Sequence, residues 1–527
     1  MTEPVADTAS EHVSVAMVGG GPTGITAATL LAQYGVDTLV LDRWPQVYPQ
    51  PRAVHLDDEV HRILARLGVA ADFAAISRPA RGLRLVDRDL SVLAEFQRDT
   101  ALTRNGFPAA NMFDQPEFEE LLRRNLGHYP RARFRGDTEV LELATDPAGR
   151  LRLTTSDRIT GRRSLITADY LLGCDGANSM VRSAIGATMR NLKFDQRWLV
   201  VDIATTADLR QWDGVHQVCD GQRAGTYMRI GDARYRWEFP LRDDESVDDY
   251  ATLAALRPLI APWTRDVGDA DLQLMRVTGY TFRAEIADRW RSGTVFLLGD
   301  AAHLTPPFIG QGMGAGLRDA ANLAWKIAGV HHGDLPPSVL DSYQTERAPH
   351  ARYMISLALN MGRAMTAGGR LGTAVRRVVL PRLRLAPGLR AKIVDSETPP
   401  LRSSSMVQRT LATRRITGSL CPNPMIDNQH RLDDELGWGF GVITTTALTP
   451  AQQRIVDTRG ARTVHAAPGT DLARWLSRHH VTAAVIRPDR TVMTAGRDLT
   501  ALCLALPVFL LDHPPQPSAP THTAHHQ

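Results

Sequence analysis

Cysteine is scarce in this chain. The 527 residues include four cysteines, and no two of them form a CxxC pair. Such wide spacing argues against a disulfide framework and gives no support for thiol exchange. Free thiols in a reducing cytoplasm are the simplest interpretation, and we expect no metal site. The four residues are Cys174, Cys219, Cys421 and Cys503.

Long apolar runs and basic runs are also missing. No apolar stretch reaches the roughly 20 residues that a membrane helix needs, since the run ending at Leu511 is short and is broken by Pro507. The first dozen residues are polar, so we expect no signal peptide. The net charge of +4 is mild for this length, and no basic run is interleaved with aromatic residues. We therefore expect a soluble protein that binds neither membrane nor nucleic acid.

A glycine-rich turn follows the first apolar run, Val13 to Val18. Gly19, Gly21 and Gly24 fit the GxGxxG fingerprint, and a predicted helix continues from Thr26. These glycines permit a tight turn, close approach to a pyrophosphate and close packing of helix on strand. The next predicted strand, Thr38 to Leu41, ends at Asp42, where an acid about 20 residues on binds a ribose hydroxyl. The segment predicts a dinucleotide-binding βαβ unit.

A second apolar strand breaks at Asp175-Gly176, and Arg182 follows one or two helical turns later. This segment is less specific by itself. Asp175 is equally suited to capping a helix, and Arg182 to lying on the surface.

A third segment, residues 291–329, is the most informative. An apolar strand, Val295 to Leu298, ends at Gly299-Asp300, and a glycine-rich loop then opens onto a long amphipathic helix. An acid and small residues at a helix N-terminus let the backbone come close to a polar ligand.

In this order and spacing, the three segments resemble the flavoprotein aromatic hydroxylases of the para-hydroxybenzoate hydroxylase fold, over roughly residues 12–350. The chain is most similar to the longer branch that contains 3-(3-hydroxyphenyl)propionate hydroxylase, phenol hydroxylase and polyketide-tailoring hydroxylases. The further residues that carry this resemblance are Pro51-Arg52-Ala53-Val54 with Asp57-Asp58-Glu59, Trp198 to Asp202, His303 to Asp319, and Arg487-Pro488-Asp489-Arg490.

The resemblance implies bound FAD, with NADH or NADPH as a transient reductant and O2 as co-substrate. Asp300 matches the family's acid near the ribityl chain, and the loop from Pro306 to Gly314 should pass along the isoalloxazine edge. There, the N–H groups of a helix start favour the anionic reduced flavin. The expected cofactor-binding residues are Gly19, Gly21, Pro22, Thr23, Gly24, Asp42, Arg43, Arg52, Gln115, Asp175, Gly176, Arg182, Gly299, Asp300, Pro307, Gly310, Gln311, Gly312, Met313 and Gly314.

The implied reaction is hydroxylation of a phenolic ring through a flavin C4a-hydroperoxide. The substrate would be an acid like 3-(3-hydroxyphenyl)propionate or an aromatic polyketide. A base near the phenol would accelerate oxygen transfer, but the sequence does not identify it. His303, Tyr235 and Pro306 are the catalytic candidates by region, and Arg223, Arg229, Arg234 and Arg236 are candidates for pairing with a substrate carboxylate.

Two alternatives stay open. The same scaffold hosts Baeyer–Villiger and epoxidising oxygenases, and the difference lies in the pocket. A non-catalytic flavin-binding redox sensor is the more remote alternative. No second GxGxxG follows a strand, so the nicotinamide has no Rossmann site of its own.

The predicted fold class is α/β, with a Rossmann-like FAD-binding domain, an inserted β-sheet substrate domain and a thioredoxin-like C-terminal domain without CxxC. A homodimer is a further expectation. The expected divisions are a flexible N-terminus at 1–11; the FAD-binding domain at 12–75, 105–190 and 285–345; the substrate-binding sheet at 76–104 and 191–284; a helical and irregular connection at 346–418; the thioredoxin-like domain at 419–512; and a disordered tail at 513–527.

Overall fold

The computed structural model describes residues 11–49, 52–98, 102–147, 149–366 and 398–510. The expectations for residues 1–10, for the segment 367–397 of the connecting region and for the tail at 513–527 therefore lie outside the described residues.

The strands of the described chain lie in four sheets. In chain order they are β1 (Glu11–Val18), β2 (Thr38–Leu41), β3 (His55–Asp57), β4 (Ser77–Pro79), β5 (Gly82–Val86), β6 (Val92–Gln97), β7 (Ala110–Phe113), β8 (Ala132–Arg135), β9 (Thr138–Thr145), β10 (Leu151–Asp157), β11 (Arg163–Gly173), β12 (Met189–Ala204), β13 (Val215–Val218), β14 (Gly225–Arg229), β15 (Arg234–Pro240), β16 (Gln273–Ala287), β17 (Arg291–Ser292), β18 (Val295–Leu297), β19 (His303–Leu304), β20 (Gly441–Thr444), β21 (Arg462–His465), β22 (Ala483–Ile486) and β23 (Val492–Gly496).

The α-helices pack on the faces and ends of these sheets. They are α1 (Pro22–Gln33), α2 (Asp58–Leu67), α3 (Ala70–Ala75), α4 (Gln115–Leu126), α5 (Met180–Ala184), α6 (Leu253–Thr264), α7 (Gly312–His331), α8 (Ser342–Thr366), α9 (Leu432–Leu436), α10 (Pro450–Thr458), α11 (Asp471–Arg478) and α12 (Leu499–Ala505). Among the described residues, no helix has both the length and the apolar character needed to cross a bilayer.

The first sheet has a parallel core in the order β18-β11-β1-β2-β8. Its central strands are buried on both faces, as in β1, where Val15, Ala16 and Met17 have no exposed surface. Helices on each face of a parallel sheet require such apolar strands. We call this unit the α/β sheet. It confirms the βαβ unit predicted for β1, α1 and β2.

The second sheet lies beside the first and has the order β19-β16-β12-β15-β14-β13-β5-β6. We call it the roof sheet. The two segments predicted to form a substrate domain supply most of its strands. One strand departs from the predicted division: β19 lies in the range assigned to FAD binding, yet it pairs with β16 through Ile286 and His303. A local pattern cannot show that a two-residue strand joins a distant sheet.

The C-terminal region forms a four-stranded sheet of order β21-β20-β22-β23. β20 and β21 are parallel, whereas β22 and β23 run antiparallel to their neighbours. The predicted strands Phe440 to Thr444 and Thr482 to Ile486 correspond to β20 and β22. The predicted helix Thr470 to Arg478 corresponds to α11, where the Thr470 hydroxyl caps the N–H of Ala473 at 3.3 Å.

Candidate active site

A cavity of about 390 Å³ lies between the α/β sheet and the roof sheet. All three glycine-containing segments reach its wall, together with the strands of the roof sheet. We call it the central cavity. Residues that line it include Gly21, Pro22, Thr23, Arg52, His55, Gln115, Gly176, Trp198, Arg236, Glu238, Arg276, Phe282, Gly299, Asp300, Pro307, Phe308, Gly310, Gln311, Gly312 and Met313.

The first glycine turn is close-packed on one side and open on the other. A Cβ on Gly19 would lie 2.3 Å from the Cys174 carbonyl oxygen, and one on Gly24 would lie 2.1 Å from the Gly19 oxygen. At Gly21, by contrast, a Cβ would meet nothing within 4 Å. Gly21 is the N-cap of α1, so the unsatisfied N–H groups of the first helical turn adjoin the cavity. This is the geometry of an anion site.

Asp42 fixes this turn from the end of β2. Its Oδ2 accepts the N–H of Gly20 at 2.6 Å, and its Oδ1 accepts the N–H of Trp44 at 2.7 Å. Neither Asp42 nor Arg43 lines the central cavity, and Arg43 is exposed. The ribose contact predicted for Asp42 and the cofactor contact predicted for Arg43 stay predictions.

Gln115 organises the backbone that leads to β3. Its Oε1 accepts the N–H groups of Arg52 at 2.9 Å and Ala53 at 2.5 Å, while its Nε2 donates to Glu119. Arg52 and Gln115 both line the cavity. The structure thus brings this predicted pair to the site and shows that Gln115 positions Arg52.

Residues of the second glycine-containing segment, around Asp175 and Arg182, hold the loop of the third segment in place. Ser179 rather than Asp175 is the N-cap of α5, and Asp175 accepts the Ser179 hydroxyl at 2.5 Å and the Val181 N–H at 3.1 Å. Arg182 donates to the carbonyl oxygens of Ala177 at 2.7 Å and Ala301 at 3.0 Å. Arg182 therefore holds the loop that carries Asp300. Of the second segment's predicted contacts, only Gly176 lines the cavity.

In the third segment, Asp300 lines the cavity, and its carboxyl group has no hydrogen bond to the described residues. Burial raises the pKa of Asp300, although His303 and Arg52 lower it. Gly310 has a φ of +63°, a left-handed conformation that glycine adopts without strain. The Gln311 amide is held by Asp57 at 2.8 Å and by Arg318 at 3.0 Å, so the loop at the start of α7 is fixed.

The predicted catalytic residue His303 does not reach the cavity. It is buried and stacks on Trp290, and its Nε2 lies 2.8 Å from Oδ2 of Asp319. The same oxygen of Asp319 accepts the N–H of Gly299 at 3.1 Å. His303 thus helps to hold the Gly299-Asp300 turn in place. Pro306 is buried and precedes the turn of Pro307, without lining the cavity.

Tyr235 lies on the opposite face of the roof sheet, which corrects its selection as a catalytic candidate. Its ring packs with Tyr227 and Trp237 in a core covered by α6. Side chains alternate along a strand, so this aromatic face of β15 points away from the cavity. Three of the four roof arginines likewise bind protein groups elsewhere: Arg223 contacts Glu245, Arg229 contacts the Gly231 and Asp232 carbonyls, and Arg234 contacts Asp114.

Glu238 and His55 are among the cavity residues that escaped the sequence analysis. Glu238 lies on β15, two positions from Arg236, and the period-2 alternation was the signal that could have found it. His55 lies 3.4 Å from the Gly310 oxygen through Nδ1 and 3.4 Å from Arg98 through Nε2. A guanidinium only donates and a carbonyl only accepts, so Nδ1 carries the hydrogen. Burial lowers the pKa of His55 to about 4, so the ring is neutral at pH 7.

Fold and cavity define a dinucleotide-binding α/β protein with a roofed active site. Residues 12–358 match the family described as FAD binding domain. The 3-(3-hydroxyphenyl)propionate/3-hydroxycinnamic acid hydroxylase 2 of Burkholderia vietnamiensis is 32% identical, with 97% of this chain and 98% of the relative covered. A probable NADH-specific resorcinol 4-hydroxylase of Rhodococcus jostii is also 32% identical, with 97% of each covered.

Solved structures share the fold. Aklavinone-11 hydroxylase, in a ternary complex with FAD and aklavinone, superposes with a TM-score of 0.77 at 21% identity, covering 95% of this chain and 99% of that one. The rebeccamycin biosynthetic enzyme RebC with reduced flavin gives 0.75 at 22% identity, covering 94% and 99%. The chain belongs to the FAD-binding domain family and is an FAD-dependent aromatic hydroxylase of that family.

The cavity fits the cofactor that this family binds. Gly21 and Gly176 leave open space where any side chain would project. The N-termini of α1 and α7 adjoin the cavity, and their N–H groups would hold the anionic and polar parts of the cofactor. The Asp300 carboxylate, which accepts no hydrogen bond from the described part of the chain, suits a ribityl hydroxyl. These features need a polar ligand to satisfy them.

Proposed function

We propose that this protein hydroxylates the ring of a small phenol, such as 3-(3-hydroxyphenyl)propionate or resorcinol. The observation that carries the proposal is the central cavity, in which the glycine-rich start of α7 faces a roof that combines aromatic side chains with a buried carboxyl group. Relatives named for small phenolic substrates are similar over nearly the whole chain. Aklavinone-11 hydroxylase is similar at the level of fold, so a small phenol is the better-supported substrate.

When bound, FAD supplies the reaction with electrons from NADH or NADPH and with activation of O2. The chain's own residues position and shield that chemistry. Asp300, Gly21 and Gln311 line the cavity and would bind or orient the cofactor, and Arg182 and His303 hold the Asp300 turn. Partial positive charge at the N-terminus of α7 stabilises negative charge that develops nearby.

An aromatic wall closes the cavity beside the loop. Trp198 and Phe282 stack with ring centroids 4.9 Å apart, and Phe308 packs edge-on against them at 5.7 and 6.1 Å. Such a wall excludes water and accepts a flat ring. The aromatic wall therefore suits oxygen transfer to an aromatic substrate.

The test is oxidation of NADH and of NADPH by the FAD-loaded protein, with mass analysis of the products. The panel contains 3-(3-hydroxyphenyl)propionate, resorcinol, simple phenols and aromatic polyketides. Stimulated oxidation together with a product heavier by one oxygen supports the proposal. A lactone from a cyclic ketone would favour Baeyer–Villiger chemistry, and failure of every compound to stimulate oxidation would favour a flavin-binding sensor.

The finer assignments made from the sequence also belong to this proposal. The order β20-α10-β21-α11-β22-β23-α12, with β20 central and parallel to β21, supports a thioredoxin-like C-terminal domain. The sequence has no CxxC for thiol exchange, so we assign this domain a packing role. Division into FAD-binding and substrate domains is supported by the two large sheets. A homodimer stays a prediction, as does a cytoplasmic location, for which the four free thiols are the support.

A further inference from the structure

β15 of the roof sheet presents two charged side chains to the central cavity. Arg236 and Glu238 line the cavity, whereas Tyr235, Trp237 and Phe239 lie in the core beneath α6. This division follows from the alternation of side chains along a strand. The strand therefore places one cation and one acid where a substrate ring would lie.

Arg236 is fully engaged by the protein. It donates to both carboxylate oxygens of Asp202, at 2.7 and 2.9 Å, and to the carbonyl oxygen of Arg52 at 3.0 Å. This bidentate pair is almost completely buried. Arg236 thus pairs with the roof sheet and holds the backbone of Arg52, and a contact between Arg236 and a substrate carboxylate stays a prediction.

Glu238 has no such partner. Its residue surface is 9% exposed, and no hydrogen bond joins its carboxyl group to any described residue. Its cross-strand neighbours are Val200 and Thr226. The Thr226 hydroxyl donates to Oε1 of Gln217 at 2.9 Å, and the Gln217 amide donates to the Gly225 oxygen at 2.8 Å. These neighbouring polar groups are committed to each other.

A buried carboxyl group without a hydrogen bond is unfavourable in the folded protein. Burial raises the pKa of Glu238, while the charges that face it act in both directions: Arg236 on its own strand and Arg276 on β16 lower the pKa, and Asp202 on β12 raises it. Such a group indicates a ligand donor that completes it.

Position separates the two carboxyl groups of the cavity wall. Asp300 belongs to the glycine-rich segment at the cofactor's end, whereas Glu238 belongs to the roof, on the substrate's side. A phenol that lies under the roof presents a hydroxyl hydrogen to Glu238 without competing with the cofactor for Asp300.

We propose that the Glu238 carboxylate accepts the hydrogen bond of the substrate's phenolic hydroxyl and takes its proton during hydroxylation. The phenol O–H bond breaks and its electron pair stays on the oxygen, while a new O–H bond forms on Glu238. The resulting phenolate ring is the stronger nucleophile. When the product ring regains aromaticity, the carbon that received oxygen loses its hydrogen as a proton to solvent and the C–H electron pair returns to the ring. The proton held on Glu238 then returns to the phenolic oxygen. This inference rests on the proposed function.

The experiment compares wild type with Glu238→Gln and Glu238→Asp, and uses Tyr235→Phe as the matched control. Gln keeps the size of the side chain but cannot take the proton, and Tyr235 lies on the same strand facing away from the cavity. For the phenol that the wild type converts best, Glu238→Gln should lower the hydroxylation rate about 100-fold, the scale of one general base. Glu238→Asp should recover part of the rate, and Tyr235→Phe should leave it unchanged.

Two readouts separate proton transfer from a merely structural effect. In wild type, kcat/KM should fall at low pH as Glu238 is protonated, and this fall should be absent in Glu238→Gln. The variant's deficit should also shrink for a ring-fluorinated form of the same phenol, because its hydroxyl is already more acidic. An unchanged rate in Glu238→Gln, or an equal deficit for both phenols, would overturn the inference.

Hydroxylation by the wild type tests the proposed function separately from the role of Glu238. If it hydroxylates no phenol in the panel, the proposed function fails. If it does so and Glu238→Gln matches it, the role of Glu238 alone fails.

Discussion

Two clusters of buried charge differ in how completely they are paired. At the junction between α7, α8 and the C-terminal sheet, Glu346 accepts hydrogen bonds from Lys326 at 2.8 Å, from Arg487 at 2.9 Å and from Asn322 at 2.8 Å. Arg487 also pairs with Asp489. We call this the junction cluster. The side chains of Glu346 and of its two charged partners, Lys326 and Arg487, are inaccessible to solvent.

The charged residues Asp202, Arg236 and Glu238 of the roof sheet, which we call the roof cluster, are by contrast incompletely paired. Arg236 and Asp202 pair with each other, but Glu238 beside them faces the central cavity and has no hydrogen bond to any residue that the structure describes. Burying a charge is costly unless it is paired. A closed cluster therefore fastens elements together, whereas an open one at a cavity wall marks where a ligand binds. The comparison also explains the Arg487-Pro488-Asp489-Arg490 motif. Arg487 joins the C-terminal region to Glu346 on α8, and Asp489 joins it to Asn322 on α7.

The largest expected effect is on the junction cluster. Glu346→Gln leaves Lys326 and Arg487 buried without their shared carboxylate, so the free energy of unfolding should fall by about 3 kcal/mol. Urea unfolding at pH 7 measures it. Glu238→Gln is the matched control, since it removes an unpaired carboxyl group and should change stability far less. Equal losses in the two variants would contradict the distinction between the clusters.

A smaller effect is expected on cofactor affinity. Asp300→Asn should weaken FAD binding by about 2 kcal/mol, since a charged hydrogen bond is lost, which is about 30-fold in Kd. Titration of the apoprotein followed by flavin fluorescence measures this. The control is Asp341→Asn, which alters an exposed ion pair with Arg291. Unchanged FAD affinity in Asp300→Asn would remove Asp300 from the cofactor site.

The junction cluster should also make stability depend on pH. Burial alone would raise the pKa of Glu346, but Arg487 and Lys326 hold it well below 4.5. A carboxyl group whose pKa is lower in the folded than in the unfolded protein stabilises the fold at pH values above the unfolded-state pKa. This stabilisation is lost as the pH falls below that value. The deficit of Glu346→Gln relative to wild type should therefore shrink below about pH 4.5, by up to about 1.4 kcal/mol per pH unit. A constant deficit in urea unfolding from pH 7 to about 3.5 would argue against this pairing.

The smallest effect is predicted for the far face of the roof. Tyr235→Phe removes a hydroxyl from the aromatic core under α6, so stability should change by less than about 1 kcal/mol. Substrate KM and the hydroxylation rate should stay at wild-type values. A marked rise in KM would mean that the two faces of β15 are coupled.

Features encoded within a short segment were predictable from the sequence. The turn at Gly19, Gly21 and Gly24 lies between one strand and one helix, and the clash that a Cβ on Gly24 would make with the Gly19 oxygen is local to that turn. The strand, acid and glycine-rich loop around Asp300 are equally local. Gly21 and Asp300 both line the central cavity, because parallel strands end at the same edge of a sheet; their contacts with the cofactor stay predictions.

Features that depend on which face of a distant sheet is covered were not predictable. Alternation in β15 separates Tyr235 from Glu238 but does not show which face α6 covers. His303 lies within the flavin motif, yet its partners Asp319 and Trp290 draw it into the core behind the loop. The pairing of Arg487 with Glu346 spans 141 residues, so no local pattern could reveal it.

The most direct test of the central claim is the fate of labelled oxygen. The FAD-loaded protein is supplied with NADH or NADPH, 18O2 and the phenol that stimulates oxidation most, and the product is analysed by mass spectrometry. The account predicts a hydroxylated ring that carries one labelled oxygen atom. Consumption of the reductant that yields hydrogen peroxide and unaltered phenol with every panel compound would contradict it.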